Sequence, residues 1–252
     1  MQDALVLGAS QGIGFGFVQY FLSQDPTHQV YATYRSTESA APLLALADQY
    51  GDRLTCIQLE ITDEDQIIQC LQQVATGLKA SGQPLGWVIN CIGMLHQGDL
   101  QPEKSLRQIN TEQLITYFQV NSIGSILLAK HLATMIKTTD RVIFATISAK
   151  VGSITDNQLG GWYGYRASKA ALNMFMRSIA IEYRRTCKGA IVVVLHPGTT
   201  ETGLSEPFRR GVPPDKLFSI DRSVGQLMQV MNGLNPEDSG EFFSWDGTPL
   251  PW

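Results

Sequence analysis

A tyrosine and a lysine stand four residues apart in Tyr163-Gly164-Tyr165-Arg166-Ala167-Ser168-Lys169. If this stretch opens a helix, Tyr165 and Lys169 lie one turn apart on the same face. A phenol ordinarily titrates near pH 10, and a neighbouring ammonium favours the phenolate and lowers that value. A phenol tuned in this way can give a proton to a substrate oxygen or take one from it. An ordinary amphipathic helix with an exposed lysine carries the same letters. The pair therefore gains meaning only if the rest of the chain builds a cofactor site around it.

The elements that must position the pair follow in order. Ala4-Leu5-Val6-Leu7 is a short apolar run, as expected of a strand buried on both faces. It ends in Gly8-Ala9-Ser10-Gln11-Gly12-Ile13-Gly14, followed by an apolar helical stretch to about Leu22. Strand, glycine turn and helix together make a phosphate site. Glycines admit a pyrophosphate close to the backbone, and the helix start offers free N–H groups at the positive end of its dipole. The spacing is Gly-x-x-x-Gly-x-Gly, not Gly-x-Gly-x-x-Gly, and a simple tight turn is the plain alternative.

Further strands read at 29–34, 54–59, 85–90, 141–147 and 190–195, with a closing strand at 242–245. Helices read between them at 42–50, from Thr62 or Asp63 to about Lys79, at 111–136, from the Tyr165 region to Arg185, and at 222–232. Asn121 falls inside the long 111–136 stretch, a poor place for an Asn that does nothing. Residues 202–220 read as an irregular flap with apolar contacts. The alternation predicts one α/β domain over 1–252: a Rossmann-type, doubly wound parallel sheet of about seven strands with helices on both faces.

Arg35 follows the second strand, with no acid before Glu38. An acid there hydrogen-bonds the ribose 2′-hydroxyl of NAD, whereas an Arg suits the 2′-phosphate of NADP. The expected cofactor is NADP(H), with NAD(H) the alternative if Arg35 is merely solvated.

With 252 residues, 44% hydrophobic and 17% charged, the chain has material for a large core. A net charge of −4 argues against nucleic acid as a partner. The four cysteines show no Cys-x-x-Cys pair, and the four histidines lack ligand spacing, so no metal site is expected. No signal peptide or membrane span is read, and a cytoplasmic location is expected.

Taken together, these parts closely resemble the short-chain dehydrogenase/reductase family over nearly the whole chain. The glycine turn, Asn90-Cys91-Ile92-Gly93, Asn121, Ser148, Tyr165/Lys169 and Pro197-Gly198 fall in that family's order. The stretches 148–154 and 161–169 look most like its branch of cell–cell signalling C-factor and carbonyl reductases. The resemblance implies that Tyr165 is the general acid in reduction and the general base in oxidation. Lys169 would lower the Tyr pKa and hold the nicotinamide ribose, and Asn121 would hold a water linking Lys169 to solvent. Gly8, Ser10, Gln11, Gly12, Ile13 and Gly14 would lie at the phosphates and Glu60 and Ile61 at the adenine. Asn90, Cys91 and Gly93 would lie over the cofactor, with Pro197, Gly198, Thr200 and Thr202 at the nicotinamide end. A small-molecule carbonyl or alcohol is the implied substrate, and a homodimer or homotetramer on the helices carrying Asn121 and Tyr165 the implied assembly.

The chain departs from the family pattern. Members usually carry Ser-Ser before a glycine, the second being catalytic; counting back from Gly152, that place is Ala149, and Ser148 takes the first. Either the loop brings Ser148 in, or Ser153 substitutes, or the oxyanion contact is weakened. Ser148 is the preferred reading. Glu60 replaces the usual Asp, and Cys91 is read as a packed thiol and not a nucleophile. The reading from another class is a dinucleotide-binding signalling or regulatory protein with little catalysis.

Overall fold

The computed structural model describes residues 2–24, 28–136 and 140–252. Seven parallel strands form the central sheet: β1 (Asp3–Leu7), β2 (Val30–Tyr34), β3 (Leu54–Gln58), β4 (Leu85–Asn90), β5 (Val142–Ile147), β6 (Ala190–His196) and β9 (Phe242–Ser244). Their spatial order is β3-β2-β1-β4-β5-β6-β9. The order reverses between β1 and β4, the switch point at which such sheets open a crevice at their carboxyl edge. The strand interiors are almost wholly buried, because a parallel sheet is covered on both faces.

Helices α1 (Gly12–Gln24), α2 (Ala41–Tyr50) and α7 (Ile220–Asn232) pack on one face through Phe17, Phe21, Leu43, Leu227 and Met231. Helices α3 (Glu64–Ser81), α5 (Gly124–Met135) and α6 (Tyr163–Thr186) pack on the other through Ile67, Leu71, Leu128, Leu172 and Tyr183. Asp63, not Thr62, caps α3, its carboxylate accepting from Asp65 N and Gln66 N.

Two readings need correction. The stretch 111–136 is not one regular helix: α4 (Thr111–Phe118) passes through a π-helical turn at Gln119–Ile123 before α5 begins. Hydrophobic periodicity does not register one inserted residue, and Asn121 sits within that turn. The 202–220 flap is also more ordered than expected. Thr199–Thr200 (β7) pairs in parallel with Leu217–Phe218 (β8), and 3-10 turns at Glu206–Phe208 and Pro214–Lys216 lie between them.

Candidate active site

The glycine turn after β1 is set by its backbone. Gly8 and Gly12 adopt positive φ of 73° and 59°. Gly8 N donates to Thr33 Oγ1 at 3.1 Å, tying the turn to β2. A Cβ on Gly14 would lie 2.2 Å from Gly8 O, so only glycine lets α1 start this close to the strand. The first turn of α1 carries no acidic residue. Its free N–H groups therefore face the crevice without a competing anion.

From this turn a cleft of about 1040 Å³ runs along the carboxyl edge of the sheet to Tyr165. It is lined by Gly8, Ser10, Gln11, Gly12, Ile13 and Gly14 at one end, and by Arg35, Glu60 and Ile61 beside them. Cys91 and Gly93 form the floor, and Ser148, Tyr165, Lys169, Pro197, Gly198, Thr200 and Thr202 close the far end. Arg35 is exposed where β2 ends. Glu60 Oε1 accepts from Thr62 N at 3.3 Å and Thr62 Oγ1 at 3.1 Å, which fixes the turn before α3. The glycine turn, the Arg35 corner and the long trough fit an extended phosphorylated dinucleotide.

Two expected site residues lie behind the wall instead of on it. Asn90 is fully buried; its Nδ2 donates to Ser125 Oγ and its Oδ1 accepts from Ile92 N, so it braces the exit of β4 against α5. Asn121 is equally buried. Its Oδ1 accepts from Met94 N at 2.7 Å, and its Nδ2 donates to Met94 O at 2.9 Å and to Ser168 Oγ at 3.0 Å. Ser168 Oγ in turn donates to Tyr165 O at 2.8 Å. Both amide hydrogens are engaged, so this side chain is an architectural joint between the β4 loop and α6.

Tyr165 and Lys169 are 5% and 3% exposed. Lys169 Nζ donates to Ile147 O at 3.1 Å and lies 5.9 Å from the centre of the Tyr165 ring. Burial holds the lysine down, to about 8, with Cys91 opposing the shift. Burial pushes Tyr165 up from its ordinary value, and the lysine does not bring it down. The expected lowering of the phenol is therefore not what the protein shows. Desolvation acts on both groups, and the ammonium is aimed at a main-chain carbonyl. At neutral pH the pair is a neutral phenol beside a protonated amine.

Of the two serines weighed for an oxyanion contact, Ser148 lines the cleft with its hydroxyl bonded to α6, and Ser153 lies outside the lining. Ser148 Oγ donates to Asn173 Oδ1 at 2.8 Å, toward α6. Ser153 Oγ accepts from Asp156 N, and Ser153 does not line the cleft. Ala149 packs with Met94, Leu95 and Tyr117 around Tyr165. Beyond the end of β5, Ala149 thus brings a methyl group to this side of the cleft. Cys91 is a packed thiol whose pKa burial raises.

Three residues at the site were not singled out from the sequence. Glu103 is a buried carboxylate whose Oε2 accepts from Gly164 N in the first turn of α6. Trp162 stands at the start of α6 with φ of 51°, and it lines the cleft. His196 also lines the cleft; burial lowers it to about 4, so its ring is neutral at pH 7. The pairing of Glu103 with Gly164 joins positions far apart in sequence, and no local pattern announces it. Among the described residues, no group of three or more His, Cys, Asp or Glu could hold a metal ion, and no helix is long and apolar enough to cross a membrane.

Residues 2–212 match the short chain dehydrogenase family. The chain belongs to that family. It is a dehydrogenase/reductase. This short-chain dehydrogenase is 33% identical over 148 residues to C-signal of Myxococcus xanthus, covering 59% of this chain and 84% of that protein. Its fold overlays the NADPH-bound carbonyl reductase of chicken fatty liver with a TM-score of 0.87 and 31% identity, over 100% of this chain and 99% of the other. The carbonyl reductase Sniffer of D. melanogaster gives 0.86 and 25%, over all of both chains.

The buried amine of this short-chain dehydrogenase carries a stability cost. Lys169 is held below its ordinary 10.5, so between about pH 8 and 10 the unfolded chain binds a proton that the folded chain lacks. This group's contribution to stability therefore rises with pH across that window and is least favourable below it. Lys169→Met should stabilise the fold at pH 7 by up to about 3 kcal/mol. The advantage should shrink toward pH 9.5, as read by urea denaturation at both values.

Proposed function

We propose that this short-chain dehydrogenase is an NADPH-dependent carbonyl reductase, with Tyr165 as the proton donor. The observation that carries the reading is the buried Tyr165 phenol with the Lys169 amine 5.9 Å from its ring centre, at the far end of a cleft that begins at a glycine turn. NADPH supplies a hydride from C4 of its nicotinamide. The chain positions the substrate, excludes water and delivers the proton. As the carbonyl carbon gains the hydride, its oxygen takes the hydrogen of Tyr165 Oη, and the product is an alcohol. Lys169, still charged at neutral pH, steadies the phenolate left behind, which regains its proton from solvent.

A phenol is protonated at neutral pH, so Tyr165 has a hydrogen to give when the carbonyl arrives. The NADPH-bound chicken carbonyl reductase supports the cofactor, and so does Arg35 at the end of β2. Ser10, Gln11, Gly12 and Ile13 would hold the diphosphate, with Pro197, Gly198, Thr200 and Thr202 at the nicotinamide. With Ser148 turned to Asn173 and Ala149 in the cleft, the site works with a weakened oxyanion contact. Ile115 on α4 and Met174 and Ile181 on α6 are exposed, which supports self-association through those helices.

Purified protein with NADPH and a panel of aldehydes and ketones should show NADPH oxidation. Tyr165→Phe should lose at least about 100-fold in kcat while its Kd for NADPH stays within about twofold. Full activity in that variant would refute the assignment. Arg35→Ala should weaken NADPH by about 10-fold or more and leave NADH nearly unchanged, which titration by fluorescence would read. Ala149→Ser places a hydroxyl beside Tyr165 and should raise kcat roughly 10-fold on a substrate that wild type reduces slowly. No gain, with the fold intact, would mean that the oxyanion is already served.

A further inference from the structure

Among the described residues, Trp162 is the one non-glycine with positive φ, at 51°, with ψ of 42°. A bulky side chain in the left-handed region is strained and persists only where its surroundings impose it. Here they do. Trp162 N donates to Glu103 O at 2.5 Å, and Gly164 N donates to the Glu103 carboxylate at 3.1 Å. Arg166 Nε holds Gly161 O at 3.1 Å from the next turn. Gly160 and Gly161, both with positive φ, bring the chain into this position.

The conformation sets the indole on the wall of the cleft, half-buried. Its ring meets Tyr165 edge-on at 6.2 Å and Phe208 of the flap at 4.9 Å. Phe208 meets the His96 ring at 5.8 Å, and His96 Nε2 lies 3.2 Å from Gly203 O, across the cleft. Three segments distant in sequence, the loop after β4, the start of α6 and the flap, thus converge on one aromatic corner next to the proton donor. Ala149 and Val151 add apolar surface to the same cluster.

We propose that Trp162 determines specificity: with Phe208 it forms an aromatic slot that seats a planar aryl or conjugated group directly attached to the substrate carbonyl. The proposal deepens the reductase reading and rests on it. A flat ring in the slot is held by edge and face contacts to two aromatic side chains, and its carbonyl is presented to Tyr165 Oη. A short aliphatic carbonyl reaches the same hydroxyl without filling the slot. Trp162 acts on which carbonyl is bound and how it is turned; it exchanges no proton.

The test uses two α-diketones that differ by a phenyl group, 1-phenyl-1,2-propanedione and 2,3-butanedione, each with saturating NADPH. Wild type should favour the phenyl compound at least 10-fold in kcat/KM. Trp162→Gly keeps the left-handed turn without strain and removes the indole. It should bring the ratio of the two kcat/KM values close to one, through a higher KM for the phenyl compound. Phe208→Ala should lower the ratio in the same sense, and Trp162→Phe should retain most of it. A folded Trp162→Gly enzyme with the wild-type ratio, or a wild type with no preference for the phenyl compound, overturns the aromatic slot and leaves the reductase reading standing. A wild type that reduces other carbonyls of the panel but neither diketone overturns the slot alone, and one that binds NADPH yet reduces no carbonyl of the panel overturns the reductase reading and this inference with it.

Discussion

One side-chain amide holds the Tyr165 end of the cleft together. Asn121 pairs with both the N–H and the carbonyl of Met94 and reaches Ser168, which bonds the Tyr165 carbonyl. A buried amide left unpaired would cost a few kcal/mol, whereas a satisfied one fixes three segments in one geometry. The π turn at Gln119–Ile123 is where this residue sits, between α4 and α5. Helix geometry is locally given up there, and a joint between the β4 loop and α6 is gained. The extra residue in the turn is thus tied to the site.

From that joint follows the electrostatics. Tyr165 and Lys169 are fixed inside the protein, where water does not stabilise charge. The phenol keeps its proton, and the amine is weakened only to about 8, so it is still charged at neutral pH. This pairing of a held proton with a nearby positive charge suits delivery to an oxygen that is becoming negative. It also makes the site a liability for the fold, as expected where function is paid for in desolvation. Glu103 adds a further buried carboxylate at the start of α6, one oxygen of which has no partner.

Much of the architecture was legible in the residues. Buried parallel strands read as plain apolar runs, and the glycine turn, β4 and the Tyr165 helix stand close to where the pattern put them. The cleft lining was legible because backbone and glycine constraints dictate it. What escaped was long-range or sub-periodic. One inserted residue at 119–123 leaves no mark on helical periodicity. The conformation of Trp162 depends on the Glu103 carbonyl, which only the folded chain brings near. Strand alternation hinted that Ser148 and Ala149 face opposite ways, but only the position of Asn173 shows which of them faces α6. At Tyr165 the residues display the neighbouring charge, whereas the burial that pushes the phenol up is visible only in the fold.

The most direct measurement of the central claim is a crystal structure of the protein with NADPH bound. The account predicts the diphosphate on the glycine turn, the 2′-phosphate at Arg35, and the nicotinamide ring beside Pro197 with its C4 face turned to Tyr165 Oη. A nicotinamide lying away from that hydroxyl, or a dinucleotide bound outside the cleft, would contradict it.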